Sequence, residues 1–86
     1  MVGAGGHARV CLEALIDSGF EVVGCVSRDG AALPGLPCPI IGTDADLGAA
    51  AATVGATHAF VAIGDNVART AAASRCLTAG LPLVLL

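Results

Sequence analysis

The chain has no lysine, no tryptophan and no tyrosine, and its only aromatic residues are Phe20 and Phe60. Each absence removes a class of function. Duplex nucleic acid is gripped by clustered cations and single strands by stacked rings. Arg9, Arg28, Arg69 and Arg75, scattered through 86 residues of net charge −3, supply neither, so no nucleic-acid partner is expected. Cys11, Cys25, Cys38 and Cys76 form no Cys-x-x-Cys pair, which leaves a zinc site or redox couple without support. Dispersed thiols in apolar surroundings act as small core residues, and the usage fits a reduced, cytoplasmic protein. No apolar run approaches the ~20 residues of a membrane span, despite a hydrophobic content of 56% and a mean hydropathy of +0.86. No basic segment precedes an apolar one at the N-terminus, so a secretory signal is not expected either. A Ser/His/Asp set, paired carboxylates and a metal-ligand cluster are likewise missing, and no catalytic residue is assigned.

What is present is glycine, twelve residues of it, placed with purpose. Val2-Gly3-Ala4-Gly5-Gly6-His7-Ala8-Arg9-Val10 reads as the end of a buried strand, a glycine turn and the first turn of a helix. Glycines let the backbone come close to a bulky ligand, and a helix N-terminus offers free N–H groups and partial positive charge to a phosphate. Gly3-x-Gly5-x-x-Ala8 fits the dinucleotide fingerprint in form. The acid that should follow at the end of the second strand, to hold a ribose, is replaced by Ser27-Arg28, with Asp29 one place late. The chain begins almost on the motif, and a clipped start is the expectation.

The rest of the chain alternates strands and helices. A helix is expected over 7–18, with Val10, Cys11, Ala14 and Leu15 as its apolar stripe, Glu13 and Asp17 facing away, and Gly19 as a left-handed cap. Residues 21–26 read as a strand covered on both faces. Residues 27–39, rich in Pro and Gly, read as loop, and Ile40-Ile41 as a short strand. Thr43 or Asp44 is placed to cap an alanine-rich helix over about 45–53. Ile41-Gly42, Leu47-Gly48 and Val54-Gly55 suggest hexapeptide steps of a β-helix, but their spacing is uneven and the intervening alanines favour a helix. Residues 58–63 form a further strand, Gly64-Asp65-Asn66 a turn, 67–79 a helix closed by Gly80, and 82–86 the start of another strand. Such alternation with short turns implies a parallel sheet with right-handed crossovers: one α/β, Rossmann-like, three-layer domain over 1–86 with a short parallel sheet.

Gly64-Asp65-Asn66 follows a strand at its carboxyl end, where open α/β sheets bind ligands, and should lie beside the first glycine turn. Asp65 and Asn66 are also ordinary helix caps. Arg69 can reach a phosphate or carboxylate from that helix, whereas Arg9 and Arg75 read as surface charges. His7, in the first helical turn, can donate to a phosphate oxygen or simply close the turn. His58 reads as structural.

Three motifs in order resemble the N-terminal domain of NeuD/PglD-type sugar O- and N-acyltransferases, of the hexapeptide-repeat acetyltransferase superfamily. They are Gly3-Ala4-Gly5-Gly6-His7-Ala8-Arg9-Val10, Gly19-Phe20-Glu21-Val22-Val23-Gly24, and Phe60-Val61-Ala62-Ile63-Gly64-Asp65-Asn66 with Arg69. Ala79-Gly80-Leu81-Pro82-Leu83-Val84 matches the end of the domain. The resemblance implies a domain that binds a nucleotide sugar, typically a UDP-amino-sugar, in surface-glycan biosynthesis. It implies a following left-handed β-helix domain, beyond this sequence, that binds acetyl-CoA, forms a homotrimer and carries a histidine general base. Carried over by motif, Gly3, Gly5, Gly6 and His7 contact the sugar nucleotide, Gly64, Asp65, Asn66 and Arg69 line the same pocket, and Ser27 and Arg28 lie near the uridine. An NAD(P)-binding domain of an oxidoreductase or redox sensor, and a regulatory or structural Rossmann module, remain the alternatives.

Overall fold

In the computed structural model, which describes residues 1–31 and 35–85, the regular elements are α1 (Gly6–Asp17), β1 (Cys25–Ser27), β2 (Ile40–Thr43), a 3-10 turn (Asp44–Asp46), α2 (Leu47–Val54) and α3 (Asn66–Thr78). β1 and β2 pair in parallel. Val2 bridges Val26 on one side and Val61 on the other, and Ala59 bridges Leu83, all in parallel. The first chain segment therefore lies in the middle of the sheet, the second and third to one side of it, and the fourth and fifth to the other. That order reverses between Val2 and Val61, and such a switch opens a crevice beyond the carboxyl ends of the strands. The α/β, Rossmann-like architecture expected from the sequence is the one observed.

Side chains alternate across the sheet and sort the helices into two layers. Val2, Val26 and Ala59 pack with Leu47, Ala50 and Ala51 of α2 and with Ala72 and Cys76 of α3. On the other face, Ala8 and Cys11 of α1 meet Ala62, and Leu12 meets Cys25 and Cys38. Burying Leu12, Val2 and Val26 contributes about 1.5–3 kcal/mol each. Alanine at so many contacts brings helices close to a thin sheet, since its methyl group loses no rotamer freedom on burial.

Several local details depart from expectation. The buried stripe of α1 is Ala8, Cys11, Leu12 and Leu15, a regular i, i+3, i+4, i+7 set. Val10 is 63% exposed and shares the outer face with Glu13 and Asp17. β1 begins only at Cys25, because a ladder needs a neighbouring backbone: Cys25 N donates to Pro39 O at 2.9 Å and the Met1 ammonium to Gly24 O at 2.9 Å, while residues 21–23 carry no strand pairing. Neither Thr43 nor Asp44 caps the alanine-rich helix. A 3-10 turn intervenes, the cap position falls to Asp46, and the Thr43 hydroxyl donates to Asp46 Oδ2 at 3.2 Å instead. Residues 58–63 reach the sheet through the bridges at Ala59 and Val61 rather than as a continuous strand. Leu47, Gly48 and Val54 are helical, so the β-helix pattern is not realised. Of the loop expected over 27–39, residues 32–34 lie outside the described residues, as does Leu86 of the last expected strand. All four cysteines are free and buried. Burial, reinforced by a hydrogen bond with the Cys38 thiol, pushes the Cys25 thiol up to about 12.

Candidate functional site

The site begins at the switch point. Gly3 N donates to Val26 O at 2.9 Å, and Ala62 N to Val2 O at 2.7 Å, which locks the first turn between two strands. Gly3 has φ +111°, and a Cβ there would stand 2.6 Å from the Ala62 carbonyl oxygen. Only glycine fits both the backbone angle and the space. Two residues on, Gly5 occupies the N-cap of α1 with φ −89° and ψ −163°, and no side chain caps the helix. Ala8 N donates to Gly5 O at 3.1 Å, so the N–H groups of Gly6 and His7 ahead of it have no intrahelical acceptor. The first turn holds no acid. The positive end of the α1 dipole is therefore open, and a Cβ at Gly5 would meet nothing within 4 Å.

The second glycine turn is built differently. Asp65 Oδ2 accepts the Ala68 N–H at 2.8 Å and caps α3 with a full negative charge. The Arg69 guanidinium donates to Asn66 Oδ1 within the same turn. Both side chains are engaged by their own helix.

A cleft of about 1000 Å³ runs along this edge of the sheet. Gly3, Ala4 and Gly5 form one wall, Ser27, Arg28 and Asp29 continue it from the end of β1, and Asp44 follows from the end of β2. Ile63 and the α3 residues Ala68, Ala71 and Arg75 close the far side. Its size is at the upper end for small-molecule sites. A smaller hollow of about 400 Å³ opens at the opposite edge, near Val22, Val23, His58 and Phe60. His58 lies there, its Nδ1 2.9 Å from Thr57 Oγ1.

Of the residues singled out in the sequence, Gly3, Gly5, Ser27 and Arg28 come together in the large cleft. Gly6 and His7 stand on the exposed first turn of α1, directly after Gly5, and do not line the cleft. Gly64, Asp65, Asn66 and Arg69 are exposed and do not line the cleft; Ile63 and Ala68 on either side of them do. Asp44 and Arg75 are the residues sequence reasoning missed. Arg75 is no idle surface charge: its Nη2 lies 3.5 Å from Asp44 Oδ2. The signal was available, since Asp44 directly follows a strand at the same sheet edge, and Ala68, Ala71 and Arg75 share one helix face at i, i+3 and i+7. Two polar atoms on the cleft residues, Ser27 Oγ and Asp44 Oδ1, are buried and lack any hydrogen-bond partner.

Residues 1–76 match the family model described as the PglD N-terminal domain. The chain belongs to the PglD N-terminal domain family. The fold agrees. The crystal structure of PerB from Caulobacter crescentus, in complex with CoA and GDP-perosamine, superposes with a TM-score of 0.82 at 36% sequence identity. The match covers 96% of this chain and 38% of PerB, so this PglD-type domain spans well under half of that relative. No curated protein matches the sequence. Among the described residues no group of three or more His, Cys, Asp or Glu could hold a metal ion, and no helix is long and apolar enough to cross a membrane.

Proposed function

We propose that this chain is the nucleotide-sugar-binding domain of an acyl-CoA-dependent sugar acyltransferase of surface-glycan biosynthesis. The observation that carries the reading is the uncapped α1 N-terminus opening on a roughly 1000 Å³ cleft beside the Gly3 turn. A diphosphate fits there because backbone N–H groups and the helix dipole attract anions without the cost of burying a fixed cation. The likeness to PerB, whose structure holds CoA and GDP-perosamine, supports a nucleotide sugar as the occupant. In the reaction so proposed, a sugar amine or hydroxyl attacks the thioester carbonyl, the C–S bond breaks, and the proton lost from the nucleophile balances the departing thiolate. This chain contributes binding and orientation of the sugar nucleotide. The acyl-CoA site, the general base and the trimer contacts are assigned to a following β-helix domain, and the setting to the cytoplasm.

Calorimetric titration with GDP- and UDP-amino-sugars, NADPH and CoA tests the reading. A nucleotide sugar is expected to bind and CoA is not. The family resemblance favours UDP, PerB holds a GDP-sugar, and the same titration decides the base. Tight NADPH binding with no response to either nucleotide sugar would replace the reading by a dehydrogenase-like one, and no binding at all by a structural module.

A further inference from the structure

The second strand ends without the acid that holds a ribose in Rossmann-type sites, because Ser27 stands where that acid belongs. The carboxylate is one strand over. β1 and β2 are hydrogen-bonded neighbours, with Ser27 in register with Thr43, so Asp44 emerges beside Ser27 at the same edge. Both line the large cleft with Gly3 and Gly5. Ser27 is only 7% exposed, and its Oγ has no partner; Asp44 Oδ1 has none either. Two orphaned polar atoms on adjacent strand ends are costly unless something satisfies them, at roughly 1–3 kcal/mol each. Asp44 Oδ2, by contrast, is occupied: the Arg75 guanidinium lies 3.5 Å away. One oxygen is held while the other is left free to accept.

We infer that Asp44 and Ser27 together form the ribose subsite of the cleft, with Asp44 taking the place of the acid that normally ends the second strand. This assignment rests on the nucleotide-sugar reading above. The diphosphate lies on the α1 N-terminus, and the ribose hydroxyls reach outward along the sheet edge to Ser27 Oγ and Asp44 Oδ1. A carboxylate accepts from both hydroxyls of a cis-diol, and a serine hydroxyl can donate or accept, so the pair matches a ribose and disfavours a deoxyribose. Neither atom meets solvent in this arrangement, so the proposed contact takes a rotamer change at each of these two short side chains. Arg75 is a positioning residue, acting through Asp44.

The test compares GDP with 2′-deoxy-GDP, and UDP with 2′-deoxy-UDP, by titration calorimetry on the 86-residue chain. The wild type is expected to favour the ribonucleotide by about tenfold, the scale of a hydrogen bond to a charged group. Asp44→Asn should cut that ratio to about twofold or less. Ser27→Ala, which only trims the buried hydroxyl, should lower the ratio by a smaller factor and covers the case in which Asp44→Asn folds poorly. A ribo-to-deoxy ratio that both variants leave intact would overturn the subsite while sparing the nucleotide reading. Failure of every diphosphate to bind the folded wild type would overturn both.

Discussion

Two glycine turns stand side by side at one edge of the sheet, and they have opposite electrostatics. Gly3 to Gly6 leads into α1 with no side-chain cap and no acid in the first turn, while Gly64-Asp65-Asn66 leads into α3 behind the Asp65 carboxylate. One helix end is open to an anion and the other has already neutralised itself. The difference divides the labour of the crevice. The first turn leaves a helix N-terminus uncapped, and the second supplies a wall through Ile63, Ala68 and Ala71. The glycines differ as well: a Cβ on Gly3 would strike the Ala62 carbonyl oxygen at 2.6 Å, whereas a Cβ on Gly64 would meet nothing within 4 Å.

The sharpest way to break this contrast is at those two positions. Gly3→Val should destabilise the domain by about 3 kcal/mol, combining the strain of φ +111° with the clash against a backbone atom that cannot yield. Gly64→Ala should stay within about 0.5 kcal/mol of the parent. Urea unfolding of the two variants measures both, and equal losses would mean that the turns are alike after all. A second substitution converts one turn into the other. Gly5→Asp places a carboxylate where α3 carries Asp65, at a site with ordinary φ and open space. Stability should rise by a few tenths of a kcal/mol, and nucleotide diphosphate affinity should fall by at least about tenfold, because the new charge sits where the phosphate does. Undiminished binding would move the phosphate away from α1.

How much of this was legible in the sequence follows the same contrast. Gly3, Gly5 and the α1 start were readable because a glycine turn between an apolar run and a helix has few other uses. The layer order was readable from alternation alone, and so was Gly19, whose φ of +89° ends the α1 region as expected. Asp65 was readable only as a tie between cap and ligand, since one residue type serves both and the choice depends on where its carboxylate turns. Asp44 and Arg75 were not singled out because their meeting joins residues 31 apart through the crossover that carries the chain to the far side of the sheet. The exposed placement of Val10 was misjudged for a local reason: Val10, Cys11, Ala14 and Leu15 and the true stripe of Ala8, Cys11, Leu12 and Leu15 differ by a small helical rotation.

Asp65→Ala sharpens the comparison from the α3 side. Removing the cap leaves the Ala68 N–H unpaired and should cost about 1 kcal/mol in urea unfolding. Nucleotide affinity should hold or rise, because a negative charge near the crevice mouth is lost. A large fall in affinity with no loss of stability would return Asp65 to the ligand and make the two turns equal partners.

The smallest effect is expected at His7, which tests how far the open end of α1 reaches. His7 is exposed on the first helical turn, two residues past the cleft-lining Gly5, so in the proposed pose a ligand touches it only by extending past the glycine loop. On the proposed reading a nucleoside diphosphate alone ends at the loop, whereas a nucleotide sugar continues beyond it. His7→Ala should therefore weaken the nucleotide sugar by about 0.5–1.5 kcal/mol, one hydrogen bond's worth, and leave the bare diphosphate nearly unchanged. Equal losses on both ligands would place the imidazole on the phosphates, and no loss on either would leave the open helix end acting through its backbone N–H groups alone.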